Sequence, residues 1–142
     1  MYDAENACWY TDHGYEISVR DLKEQLGQHI FNKGKLRISC DSSVAGQKWV
    51  FSSSLCLYGA VQQKERFFWY RRNISALQFD NPNQRMLKEA YSSLGVALWV
   101  VEDFPNAEIE IRIDLSSHAK AESFRETFSE MIEKSGFDFS VP

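Results

Sequence analysis

The chain has 142 residues, 44% of them hydrophobic and 25% charged, which suits one globular domain with a core of its own and excludes a disordered or low-complexity polypeptide. Its net charge of −4 argues, taken alone, against a nucleic-acid partner. No apolar run approaches the ~20 residues needed to span a bilayer, and Met1-Tyr2-Asp3-Ala4-Glu5-Asn6 has neither the basic nor the apolar part of a secretory signal. The expectation is a cytoplasmic protein with no membrane partner, one domain over residues 1–142, and an N-terminal arm over 1–15. Cys8, Cys40 and Cys56 lack metal-finger spacing and read as reduced, structural thiols.

After the arm, residues 18–31 read as a helix, with Ser18 as N-cap, Asp21 three residues on, and Val19, Leu22, Leu26 and Ile30 at helical spacing. Asn32-Lys33-Gly34 stops it. Residues 35–41 read as a strand ending at Asp41, 42–47 as a small polar loop, 48–58 as a long strand, and Arg66-Phe67-Phe68-Trp69-Tyr70-Arg71-Arg72 as a third strand completing an antiparallel meander. A loop over 73–82 leads to the longest helix, 83–103, whose buried stripe is expected at Met86, Leu87, Ala90, Tyr91, Leu94, Leu98 and Val101. A strand over 108–114, a Ser116-Ser117-His118 loop, a helix over 119–134 with Gly136 as its C-cap, and a short strand over 137–141 complete the chain. This order predicts an α/β fold: a mixed sheet of about five strands, with 35–41 and 108–114 as parallel neighbours and the 83–103 helix crossing one face.

Three acids fall where they can converge: Asp41 at the end of a central strand, Glu89 on the long helix, and Asp114 at the end of a neighbouring strand. Carboxylates are the ligands that hard divalent ions such as Mg²⁺ or Mn²⁺ prefer, and metal-held carboxylate sites suit phosphodiester cleavage. Each has a plainer alternative: Asp41 as a cap for the Ser43 or Val44 amides, Glu89 as a surface helix glutamate, Asp114 as a cap within its Ser-rich loop.

Charge is segregated along the chain. Residues 33–72 carry eight Lys or Arg against Asp41 and Glu65, whereas residues 101–142 carry ten acids against four bases. The basic stretch suits a phosphate backbone, with Lys64, Arg66, Arg71 and Arg72 as its contacts. Lysines and arginines that keep strand edges from aggregating are the equal alternative. The run from Phe67 to Tyr70 offers stacking surface for single-stranded nucleic acid, but alternation sends half of it to the core.

In the order Cys40-Asp41-Ser42, Arg66-Phe67-Phe68-Trp69-Tyr70-Arg71-Arg72, Gln84-Arg85-Met86-Leu87-Lys88-Glu89-Ala90, Ile109-Glu110-Ile111-Arg112-Ile113-Asp114 and Ser135-Gly136-Phe137, the chain resembles the YkuK-like family of ribonuclease H-like proteins. The resemblance covers residues 12–139 and implies a ribonuclease H-like fold with Asp41, Glu89 and Asp114 as catalytic metal ligands. The first motif departs from the family at Ser39-Cys40, where a Gly-Thr step is usual. The chain also stops at Pro142, where related proteins look as if they continue into a helix bearing a fourth acid. His118 is a candidate base or phosphate donor but reads more simply as a solvated loop residue, and Glu126 and Glu130 as a solvated face.

Three functions compete on these grounds. The leading one is a metal-dependent nuclease acting on single-stranded nucleic acid, RNA or a hybrid. A ribonuclease H-like domain that binds nucleic acid or protein without catalysis is the second. The third is a phage or immunity-type interaction protein whose acidic C-terminal third mimics nucleic acid.

Overall fold

The computed structural model describes residues 2–75, 82–115 and 121–142. Its elements are α1 (Asp3–Asn6), β1 (Trp9–Thr11), β2 (Glu16–Ile17), α2 (Val19–Phe31), β3 (Lys35–Ala45), β4 (Lys48–Tyr58), β5 (Arg66–Ser75), α3 (Pro82–Asp103), β6 (Glu108–Arg112), α4 (Ala121–Lys134) and β7 (Asp138–Ser140). They form one seven-stranded mixed sheet in the order β2-β1-β5-β4-β3-β6-β7. The β3-β4-β5 meander is antiparallel, and β6 lies parallel to β3, pairing Lys35 through Ser39 with Glu108 through Arg112. The expected meander and parallel neighbours are therefore present. The two extra strands come from the arm and the two residues after it, where runs of three and two residues are too short for periodicity to register.

Local chemistry sets the ends of α2. The Ser18 hydroxyl accepts from the Asp21 amide, as its position predicts. At the other end Lys33 takes a positive φ of 62°, and Gly34 leaves room for the buried His29 ring, which donates from Nε2 to the Lys35 carbonyl at 2.7 Å. A Cβ on Gly34 would stand 2.2 Å from that ring.

Four sequence readings are corrected. β5 runs on to Ser75, pairing Asn73, Ile74 and Ser75 with Val50, Trp49 and Lys48 where a loop is expected, and β6 stops at Arg112, two residues short of Asp114. Ser42 to Ala45 are not a loop: β3 runs on to Ala45, pairs Asp41 with Ser52 and Ala45 with Lys48, and turns through Gly46 at φ 66° and Gln47. A two-residue turn with positive φ matches the twist of a hairpin, so four small residues extend the ladder instead of leaving it. The buried stripe of α3 is also rotated from the expected one: Met86, Glu89, Ala90, Ser93, Val96, Ala97 and Val100 face inward, whereas Tyr91 is exposed. Glu89 and Ser93 are polar members of a buried face, and a stripe drawn through apolar residues passes beside them.

Every helix contributes to one layer. Trp9, Leu22, Leu26, Leu36, Ile38, Leu55, Leu57, Phe68, Met86, Ala90, Ile109, Ile111, Phe128 and Ile132 belong to a single core between helices and sheet. The continuous registers put Arg37, Ser39 and Asp41 of β3, Ser52, Ser54 and Cys56 of β4, and Phe67, Trp69 and Arg71 of β5 on the opposite face. Among the described residues no helix packs on that face, and no helix is long and apolar enough to cross a membrane.

Candidate functional site

The acids gather where β6 ends. The parallel ladder stops at Ser39 and Arg112, so beyond Ser39 the β6 side of β3 has no ladder partner among the described residues. Asp41 sits just past this point. Past the end of β6, Ile113 and Leu115 are buried, which turns Asp114, between them, away from the core and within electrostatic reach of Asp41. Burial raises the Asp41 carboxyl above its ordinary range, and the Asp114 charge raises it further.

Glu89 reaches the same end of the sheet from the helix layer. It is 6% exposed, and the Ser42 hydroxyl donates to its Oε2. Burial pushes its carboxyl up to about 7; the Ser42 bond opposes the shift, the Asp41 charge adds to it and Arg85 opposes it. Asp41 thus stands on the bare face and Glu89 on the helix face, with all three acids close enough to feel one another through Asp41. Among the described residues no three His, Cys, Asp or Glu side chains are grouped tightly enough to hold a metal ion. Carboxylate oxygens are the donors that hard divalent ions prefer, so the chemistry of the three acids, though not their present spacing, is that of a Mg²⁺ or Mn²⁺ ligand set.

Two participants escaped the sequence reading. Ser42 adjoins Asp41 but points the other way, which only a continuing strand makes visible. Arg85, one helical turn before Glu89, lies over the Trp49 ring at 4.5 Å from its centroid; its i, i+4 spacing from Glu89 was the available signal. Cys40, which packs with Phe51 and Ile74, is buried, and burial pushes its thiol up to about 12, so it packs without reacting. His118 lies outside the described residues. Glu126 and Glu130 are exposed on α4, where Lys134 pairs with Glu130 at 2.8 Å.

The four basic candidates do not form one patch. Lys64 is exposed in the β4–β5 connection. Arg66 donates from Nε to Gln25 at 3.1 Å, and Arg72 pairs with Asp3, both on the helix side of β5. Arg71, on the bare face, lies over the Trp69 ring at 4.8 Å from its centroid. A cavity of about 600 Å³ beside Tyr2, Glu5 and Trp99 is lined by other residues, and there Lys23 bridges Glu5 at 3.2 Å and Asp103 at 2.8 Å.

A mixed sheet with an antiparallel meander and a parallel strand beside its first member is the layout of a ribonuclease H-like α/β protein. The ribonuclease H-like family model matches residues 18–142, and the chain belongs to that family. No curated protein and no solved structure matches it.

Proposed function

We propose that the protein is a divalent-metal-dependent nuclease acting on single-stranded nucleic acid, RNA or a hybrid, with Asp41, Asp114 and Glu89 as its working acids. The observation that carries this reading is the electrostatic chain from Asp114 through Asp41 to Glu89 at the end of β6, in which two carboxyls are raised above their ordinary range. Groups so perturbed, by burial and by one another, are characteristic of sites that await a cation or handle protons. Asp41, from the bare face, and Asp114 would hold Mg²⁺ or Mn²⁺, and Glu89 would join around the unpaired edge of β3. When bound, the ion activates water and stabilises the leaving oxygen. Ser42 orients the Glu89 carboxyl, and Arg85 tempers its charge.

Calorimetric titration with Mn²⁺ and cleavage of a labelled oligonucleotide at low salt test the reading together. The wild type is expected to bind Mn²⁺ and cut, and Asp41→Asn to lose both while still binding the oligonucleotide, because it removes a ligand without adding bulk. A wild type that binds neither Mn²⁺ nor any nucleic acid would sink the proposal. Approach of Glu89 from the opposite side of the sheet favours a second reading, a domain that binds nucleic acid without cutting it. Retained oligonucleotide binding with no Mn²⁺ uptake is its signature.

A further inference from the structure

The bare face carries three lateral rows of side chains. Asp41 stands beside Ser52, and Ser52 beside Arg71; Ser39 beside Ser54, Ser54 beside Trp69, and Trp69 beside Tyr10; Arg37 beside Cys56, and Cys56 beside Phe67. On β3, β4 and β5 this face holds Lys35, Arg37, Lys48 and Arg71 against Asp41, but Arg37 is paired with Glu110 of β6 at 2.7 Å, which leaves Arg71 as the cation set among the rings. Its aromatic groups are ordered. Tyr10 and Trp69 stack at 4.8 Å, Arg71 lies over Trp69, and the neighbouring Phe67 is 42% exposed. Serines fill the space between, short enough for a ligand to lie close to the sheet.

We infer that this bare sheet face is a binding track for single-stranded nucleic acid, running across the meander from the Tyr10–Trp69–Arg71 stack and Phe67 to Asp41. The occupant follows from the chemistry. Arg71 set beside the Tyr10, Trp69 and Phe67 rings suits a chain of alternating phosphates and aromatic bases, the guanidinium meeting a phosphate while a base stacks on Phe67. A duplex would hide its base faces from Phe67. The track also gives the acids a substrate path: Arg71 lies two strands from Asp41, about 10 Å at the usual strand spacing. This inference rests on the reading of the protein as one that acts on nucleic acid, and of the four expected basic contacts it keeps Arg71 and gives up Arg66 and Arg72, which face the helix side of β5.

The test is fluorescence polarisation of a labelled twelve-nucleotide single strand at low salt with EDTA present, so that metal binding and cleavage play no part. Phe67→Ala and Arg71→Ala are each expected to weaken binding about tenfold, Arg71→Ala also flattening the salt dependence by about 0.7 in log–log slope. Phe67 and Arg71 are exposed, and melting curves will verify that both variants remain folded. Arg20→Ala and Arg125→Ala, which remove the same charge from the helix layer, are expected to bind within twofold of wild type. Loss confined to Arg66→Ala and Arg72→Ala, or duplex bound as tightly as the single strand, would overturn the track while leaving the proposed activity standing. If the wild type binds no oligonucleotide and instead forms a dimer that Phe67→Ala disrupts, the face belongs to a second copy of the chain, and the track is overturned together with the functional reading.

Discussion

Glu89 shows how one residue can look ordinary in sequence and be a strongly perturbed acid in the fold. A glutamate beside a helix stripe reads as solvent-facing; here it is 6% exposed, with its carboxyl pushed up to about 7 from 4.5. Because the folded value lies above the unfolded one, the folded state binds the proton more tightly. Its ionisation therefore opposes folding fully above about pH 7, and the penalty fades as the pH falls toward 4.5. Glu89→Gln keeps an acceptor for Ser42 and removes the charge. In metal-free buffer it is expected to raise stability at pH 8 by on the order of 2–3 kcal/mol, and by little at pH 4.5. Thermal melts at the two pH values decide it, and equal effects at both would show that charge burial is not what the substitution relieves.

At the scale of elements, the fold was legible where periodicity is strong and obscure where polar residues serve structural ends. The Ser18 cap, the meander and the parallel pairing of β3 with β6 all follow from patterns the sequence displays. The hairpin at 42–49 does not, because Ser42-Ser43-Val44-Ala45 has loop composition, and only the facing β4 backbone makes it a strand. Asp41 was placed at a strand end on this account. It lies within β3, and the relevant end is that of β6, a property of the partner strand invisible in the local sequence. The rotation of the α3 stripe has the same origin, since Glu89 and Ser93 are buried polar residues that a hydrophobic pattern skips. The junction of α2 with β3 offers the element-scale prediction. Gly34→Ala forces the buried His29 ring off the Lys35 carbonyl and is expected to cost about 1–3 kcal/mol, the usual range for overpacking. Urea denaturation will measure it, and a cost under about 0.5 kcal/mol would mean that the ring has space to move.

For the whole molecule, the arrangement of one helical layer on one sheet makes the N-terminal segment part of the structure. The family match begins at residue 18, yet Ala4 and Trp9 belong to the same core as Leu36 and Ile111. Trp9 is fully buried, meets Tyr70 edge-on at 4.7 Å, stacks on Trp99 at 5.7 Å, and donates its indole N–H to the Ala4 carbonyl at 2.9 Å. It thereby joins β1, β5, α1 and α3 at one point, while Tyr10, its neighbour, faces the other way into the proposed track. Trp9→Ala should open a cavity at that junction and cost about 3–5 kcal/mol, a large share of the 5–15 kcal/mol by which single domains are usually stable. The melting temperature is then expected to fall by on the order of 10 °C. Trp9→Phe, which keeps an aromatic ring in the core but loses the bond to Ala4 and part of the indole's volume, is expected to fall by less than Trp9→Ala. The same loss of anchoring would displace Tyr10 from Trp69, so Trp9→Ala should also weaken single-strand binding in a protein that remains folded at 15 °C. A Trp9→Ala melt within about 2 °C of wild type would show instead that the arm rests on a core complete without it.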